Sequence, residues 1–129
     1  MEEIQKILGI LLSNKTNDSI IDKLGVLNKI VGRIHVLVPI IDGVQNIGLV
    51  IDQNKIHSIS FILKEPVAFT SLKKNFSVDY SFFYNHHDED SVLSFPFSKN
   101  LTFRAIKEGY IEEANLLDYS FTRFEIDVK

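Results

Sequence analysis

Ile34-His35-Val36-Leu37-Val38-Pro39-Ile40-Ile41-Asp42-Gly43, followed three residues later by Ile47-Gly48-Leu49-Val50-Ile51, decides the fold class. Ile34 to Ile41 is rich in β-branched residues and apolar at both parities. That is the mark of a strand, because a helix face would return its apolar residues every three or four positions. A run apolar on both sides is expected to be covered on both sides. Asp42-Gly43 supplies a turn. Ile47 to Ile51 forms the next strand, Asp52 to Lys55 a second turn, and Ile56 to Leu63 a third strand in which His57, Ile59, Phe61 and Leu63 share a parity. Three consecutive antiparallel strands are the economical reading.

Upstream the period changes. Ile4, Ile7, Leu8, Leu11 and Leu12 fall at helical spacing with Glu2, Glu3, Gln5 and Lys6 between them, which predicts a short amphipathic helix packed on the sheet. Asn17, Asp18 and Ser19 offer N-caps for a second helix carrying Ile20, Ile21 and Leu24, and Gly25 suits its end. Downstream, Pro66 interrupts the pattern, and Thr70 or Ser71 can cap a short helix bearing Leu72 and Phe76. Strands are expected again at Tyr80 to Asn85, Ser91 to Phe97, Leu101 to Lys107 and Tyr119 to Val128, with a bulge near Thr122 and Arg123 where the apolar parity shifts. Tyr110 to Leu117 fits either period and is read as strand. The fold class is therefore α+β: one domain over 1–129, short N-terminal helices on one face of an antiparallel sheet of six to eight strands. The order suggests two successive units, each a helix ahead of a meander.

Composition sets limits. The 129 residues are 45% hydrophobic and 24% charged, and none is cysteine. That is globular composition, and it leaves no place for a thiol nucleophile, a thiolate metal site or a disulfide framework. The net charge of -3 argues against a nucleic-acid binder, which needs a basic face. With no membrane-length apolar run and no basic leader, the expectation is a cytoplasmic chain without membrane attachment. All ten Phe and all four Tyr fall between Phe61 and Phe124. Residues 1–64 net +1 and residues 65–129 net -4, so the aromatic half is also the acidic half.

The segment Asn17-Asp18-Ser19-Ile20-Ile21-Asp22-Lys23-Leu24-Gly25, together with the helix-then-sheet order, resembles the β-lactamase-inhibitor-protein-like group, whose polar-capped helix ends in Leu-Gly. The match covers nine residues plus the strand order. Val26-Leu27 stands where that group often has Pro, and no cysteine is available for a lipid anchor. The resemblance implies a protein-binding module without catalysis.

No nucleophile elbow, Ser-x-x-Lys or phosphate-binding glycine loop is present, so catalysis is not expected and no cofactor is predicted. His86-His87-Asp88-Glu89-Asp90 has the residue types of a metal site, but neighbours on an extended chain diverge and nothing at ligand spacing completes it. It reads as an acidic hairpin tip. Phe82 and Tyr84, Leu93, Phe95 and Phe97, and Leu101, Phe103 and Ala105 can form one aromatic face, most of it core. An aromatic excess beyond what two short helices cover would serve a partner or a homodimer. The leading expectation is a non-catalytic protein-interaction module of immunity or inhibitor type, meeting a basic partner through Tyr84, Asp88, Glu89, Asp90, Glu112 and Glu113. The alternative is a small-ligand domain with a cavity lined by Phe82, Tyr84, Phe95 and Phe103. A metal enzyme using His86 or His87 ranks third.

Overall fold

The computed structural model describes residues 1–76 and 79–129. Two helices, α1 (Glu2–Ser13) and α2 (Asn17–Leu24), lead into the strands β1 (Gly25–Val31), β2 (Ile34–Pro39), β3 (Val44–Asp52) and β4 (Lys55–Ala68). A short helix α3 (Phe69–Asn75) then leads into β5 (Ser81–Asn85), β6 (Asp90–Pro96), β7 (Leu101–Glu108) and, after a 3-10 helix (Glu113–Asp118), β8 (Ser120–Val128). The eight strands form one open antiparallel sheet in the order β1-β2-β3-β4-β8-β7-β6-β5. The first half is two helices followed by a four-stranded meander, the second a single α-helix followed by another, and the two meanders meet at β4 and β8. The fold class is α+β, and the helices lie on one face.

That face holds the core. Ile4, Ile7 and Leu8 of α1, Ile20 and Leu24 of α2, and Phe69 and Leu72 of α3 are all buried. Beneath them Phe61, Phe124, Phe103 and Phe95 run across β4, β8, β7 and β6, with successive ring centroids 5.5, 5.5 and 6.1 Å apart. Phe76, just past α3, stacks on Phe103 at 4.7 Å. Each such ring buried contributes about 1.5–3 kcal/mol of apolar transfer. The expected aromatic face is thus core.

Several local expectations are corrected. The second helix is capped by Thr16, whose hydroxyl accepts from the Ser19 N–H at 3.1 Å, in place of Asn17, Asp18 or Ser19. α2 does end before Gly25, but Gly25 is extended and opens a strand, β1, that the pattern does not announce. Glycine is required there because a Cβ would lie 2.3 Å from the Val38 carbonyl oxygen across the β1–β2 pair. Leu12 faces solvent, outside the buried stripe of α1. α3 starts at Phe69 without a side-chain cap from Thr70 or Ser71. Tyr110 to Leu117 holds no strand: Leu116 alone turns inward from the 3-10 helix. At His57 the β3–β4 register shifts, so Ile56 enters the core and His57 is exposed. Pro66 lies in the unpaired stretch of β4 between Ile62 and Val67, opposite the predicted irregularity of β8 at Thr122 and Arg123.

The largest correction concerns Ile34 to Ile41. The strand ends at Pro39, and only its helix-side residues are covered: Leu37 is buried, whereas Ile34 and Val38 are half exposed on the opposite face. No helix among the described residues packs there, and none is long and apolar enough to cross a membrane.

Candidate functional site

The uncovered face changes character along the sheet. Toward β1 it is apolar, with Val26, Val31, Ile34 and Val38 exposed, and a shallow groove of about 270 Å³ lies farther in, over Gly48 between Val36 and Ile62. Toward β8 and β7 it is ionic. Arg104 bonds Asp127 and lies 4.0 Å from Glu125, and the Arg123 guanidinium donates to Asp90 at 3.2 Å. Burial, then the hydrogen bond and charge of Asp127, hold the Glu125 carboxyl above its ordinary range against the pull of Arg104 and Arg123. Opposite charges thus meet both between neighbouring strands and, through Arg123 and Asp90, across β7, although the buried Arg104 Nε finds no hydrogen-bond partner.

The sequence-predicted residues lie on the β5–β6 hairpin, which borders this ionic cluster, and on the loop after β7. The chain turns from β5 to β6 at Asn85, whose side chain accepts from the His87 N–H and donates to the Asp88 carboxylate at 3.0 Å. Glu89, with φ +56°, completes the turn, and its carbonyl accepts from the Gly109 N–H at 2.9 Å. That bond carries the loop after β7 alongside the hairpin. Ser91 fixes the loop further: its hydroxyl donates to the Gly109 carbonyl at 2.8 Å and accepts from the Ile111 N–H at 3.0 Å.

The result is an aromatic cluster joining two acid-bearing segments. Tyr84 meets the His86 ring edge-on at 4.8 Å and the Tyr110 ring at 5.4 Å. Tyr110 is 68% exposed. Asp88 and Glu89 of the hairpin and Glu108, Glu112 and Glu113 of the adjoining segment are exposed. Glu113 and burial together push the Tyr80 hydroxyl up, burial being the larger cause. Lys107, the adjacent cation in sequence, is drawn away: its ammonium donates to the Ser120 carbonyl at 2.8 Å and lies over the Tyr119 and Phe121 rings.

Five of the six predicted residues therefore share one corner. Asp90 does not belong with them, because it is 6% exposed and held by Arg123 on the uncovered face. The residue of this corner that sequence reasoning passes over is Tyr110. Its signal was the Gly109-Tyr110 step, obscured when the segment is taken as strand.

The other arrangements fare differently. His86 lies against Tyr84, Asp88 is held by Asn85 and Asp90 by Arg123, and among the described residues no three metal-binding side chains converge. Phe95 and Phe103 are in mutual contact and fully buried, so their rings fill the space between helix and sheet. A groove of about 570 Å³ lies elsewhere, between the α1–α2 connection and the β3–β4 turn, and includes Asn14, Asn17 and His57. Comparison with family models, curated proteins and solved structures finds no match for this chain.

Proposed function

We propose that this protein is a small, non-catalytic protein-binding module whose working surface is the corner made by the β5–β6 hairpin and the loop after β7. Its partner is a basic protein, and the mode of action is masking, as an immunity or inhibitor protein masks its target. The observation that carries this reading is Tyr110, exposed on a backbone-bonded segment with its ring against Tyr84, where that segment and the adjoining hairpin together carry five exposed acids. An exposed aromatic is a good anchor in an interface, and clustered acids accelerate encounter with a cationic surface.

The test places a photo-crosslinking residue at Tyr110 and exposes the protein to an extract of its native cells. The expected adduct is a single basic protein. In the variant carrying Asp88→Asn, Glu89→Gln, Glu112→Gln and Glu113→Gln, association with that protein slows more than about tenfold at low salt, and the gap narrows as salt rises. An adduct whose association rate is unchanged by the four substitutions, or no adduct at all, overturns the reading.

A further inference from the structure

β1 is one of the two edges of the sheet, so one row of its backbone groups has no strand partner. An edge of this kind is normally blunted, and β1 carries two of the usual devices: a register irregularity between Leu27 and Lys29, and the lysine itself. Its other side chains run the opposite way. Val26, Leu27, Ile30 and Val31 are each about half exposed. Cross-strand partners share a face. Val26 and Val31 therefore belong to the uncovered face, opposite Val38 and Ile34, while Leu27 and Ile30 belong to the helix side, opposite Leu37 and His35.

We propose that β1 pairs with β1 of a second copy of this chain, antiparallel about a two-fold axis between Asn28 and Lys29, joining the two sheets into one. An axis perpendicular to the sheet preserves faces, so every residue must meet one from its own face. In an unbroken strand this forbids an axis between two consecutive residues, because parity would set each side chain against one from the wrong face. The irregularity at Asn28 removes that obstacle. Val26 then lies opposite the second copy's Val31, and Leu27 opposite its Ile30, so all four apolar side chains find apolar partners on their own face. Lys29 lies opposite Asn28 and not opposite its own copy, which relieves the like-charge opposition that would otherwise forbid self-pairing.

The same two devices thus obstruct other strands and fit this one. The four side chains, two on each face of the strand, present on the order of 400 Å² of apolar surface along this edge. The backbone edge and the flanking Ile34 and Val38 carry the contact toward the roughly 800 Å² per partner of a stable dimer. The acidic corner lies at the opposite edge of each sheet, so a dimer would present two such corners facing away from each other.

The test uses the absence of cysteine from the sequence. Val26→Cys and Val31→Cys are made separately, and each protein is subjected to mild oxidation alone and in equimolar mixture. The register brings Val26 within disulfide reach of Val31 in the second copy but keeps each position far from its own copy. The mixture is expected to form the mixed disulfide dimer much faster than either variant forms its own. Sedimentation of the unmodified protein at tens of micromolar gives twice the 14.8 kDa of one chain, and Val31→Asp raises the dimer dissociation constant more than about tenfold by burying an unpaired charge. Phe83→Asp, on the other edge, leaves it unchanged. A single-chain mass, growth beyond a dimer, or cross-linking no faster in the mixture overturns the proposal.

Discussion

Phe61 and Phe124 face each other across the β4–β8 pair with their rings stacked at 5.5 Å, and this contact sits on the seam where the two meanders join. Both rings are fully buried. Phe124→Ala is expected to lower the unfolding free energy by about 3–5 kcal/mol through lost transfer and a residual cavity. Because the seam makes one core of two halves, unfolding by denaturant followed in the far and near ultraviolet should give coincident transitions in the wild type. Separate transitions would mean that the meanders fold independently.

Adjacent acids of the β5–β6 hairpin should behave differently. Asp90→Ala strips a buried carboxylate from Arg123 and is expected to cost about 1.5–3 kcal/mol. Asp88→Asn and Glu89→Gln, both exposed, should change stability by less than about 0.5 kcal/mol. Denaturant midpoints measure all three. A costly Glu89→Gln would place that residue in the fold instead of on the proposed surface.

Glu125 should give the protein a specific pH dependence. A carboxyl whose pKa is raised by folding contributes stability that is fully present below its unfolded value and lost as pH climbs through the folded value. Gln at 125 has no such loss. The melting temperature of Glu125→Gln minus that of the wild type should therefore be near zero below about pH 4 and become positive toward neutrality. Melts across this range decide it, and a difference independent of pH removes the assigned cause.

Two glycines predict opposite signs. Gly25→Ala drives a Cβ into the Val38 carbonyl and should splay β1 from β2, with a fall in melting temperature. Gly48→Ala meets only the His35 carbonyl oxygen at 3.7 Å and an Ile34 methyl at 3.8 Å, ordinary contacts, and its φ is not in the left-handed region. The loss of unfolded-state freedom should then stabilise by about 0.4–1 kcal/mol. Thermal melts of the pair check the packing on both faces of the sheet.

What was legible in the sequence follows from where a pattern has a single physical cause. Alternation in Leu101, Phe103 and Ala105 arises from one buried face, and the strand and its role in the core follow from it. β1 escapes because Asn28 and Lys29 break its alternation at the register shift, and because Gly25, chosen for close approach to β2, looks like an ordinary helix stop. Ile34 to Ile41 misleads in another way: its second apolar face is real but uncovered, and hydrophobicity alone carries no information about what lies above it. The acidic corner was readable as residue types in two segments. Their meeting depends on the Glu89–Gly109 backbone bond and on Ser91, which no local pattern encodes. Asp90 shows the limit most clearly, since its role is set by Arg123 from the last strand.

β8, the last strand in the chain, occupies the middle of the sheet. A ribosome therefore releases the first meander and β5 to β7 before it releases the strand that joins them. During that interval β4 and β7 are edges as well as β1 and β5, and the rows containing Phe61 and Phe103 lie beside vacant lanes. Pairings between residues as distant in sequence as Ile59 and Ile126 form late. Until β8 pairs, the nascent protein thus exposes four strand edges, and polysome crowding or a pause within β8 should feed aggregation more than any weakness of the finished fold.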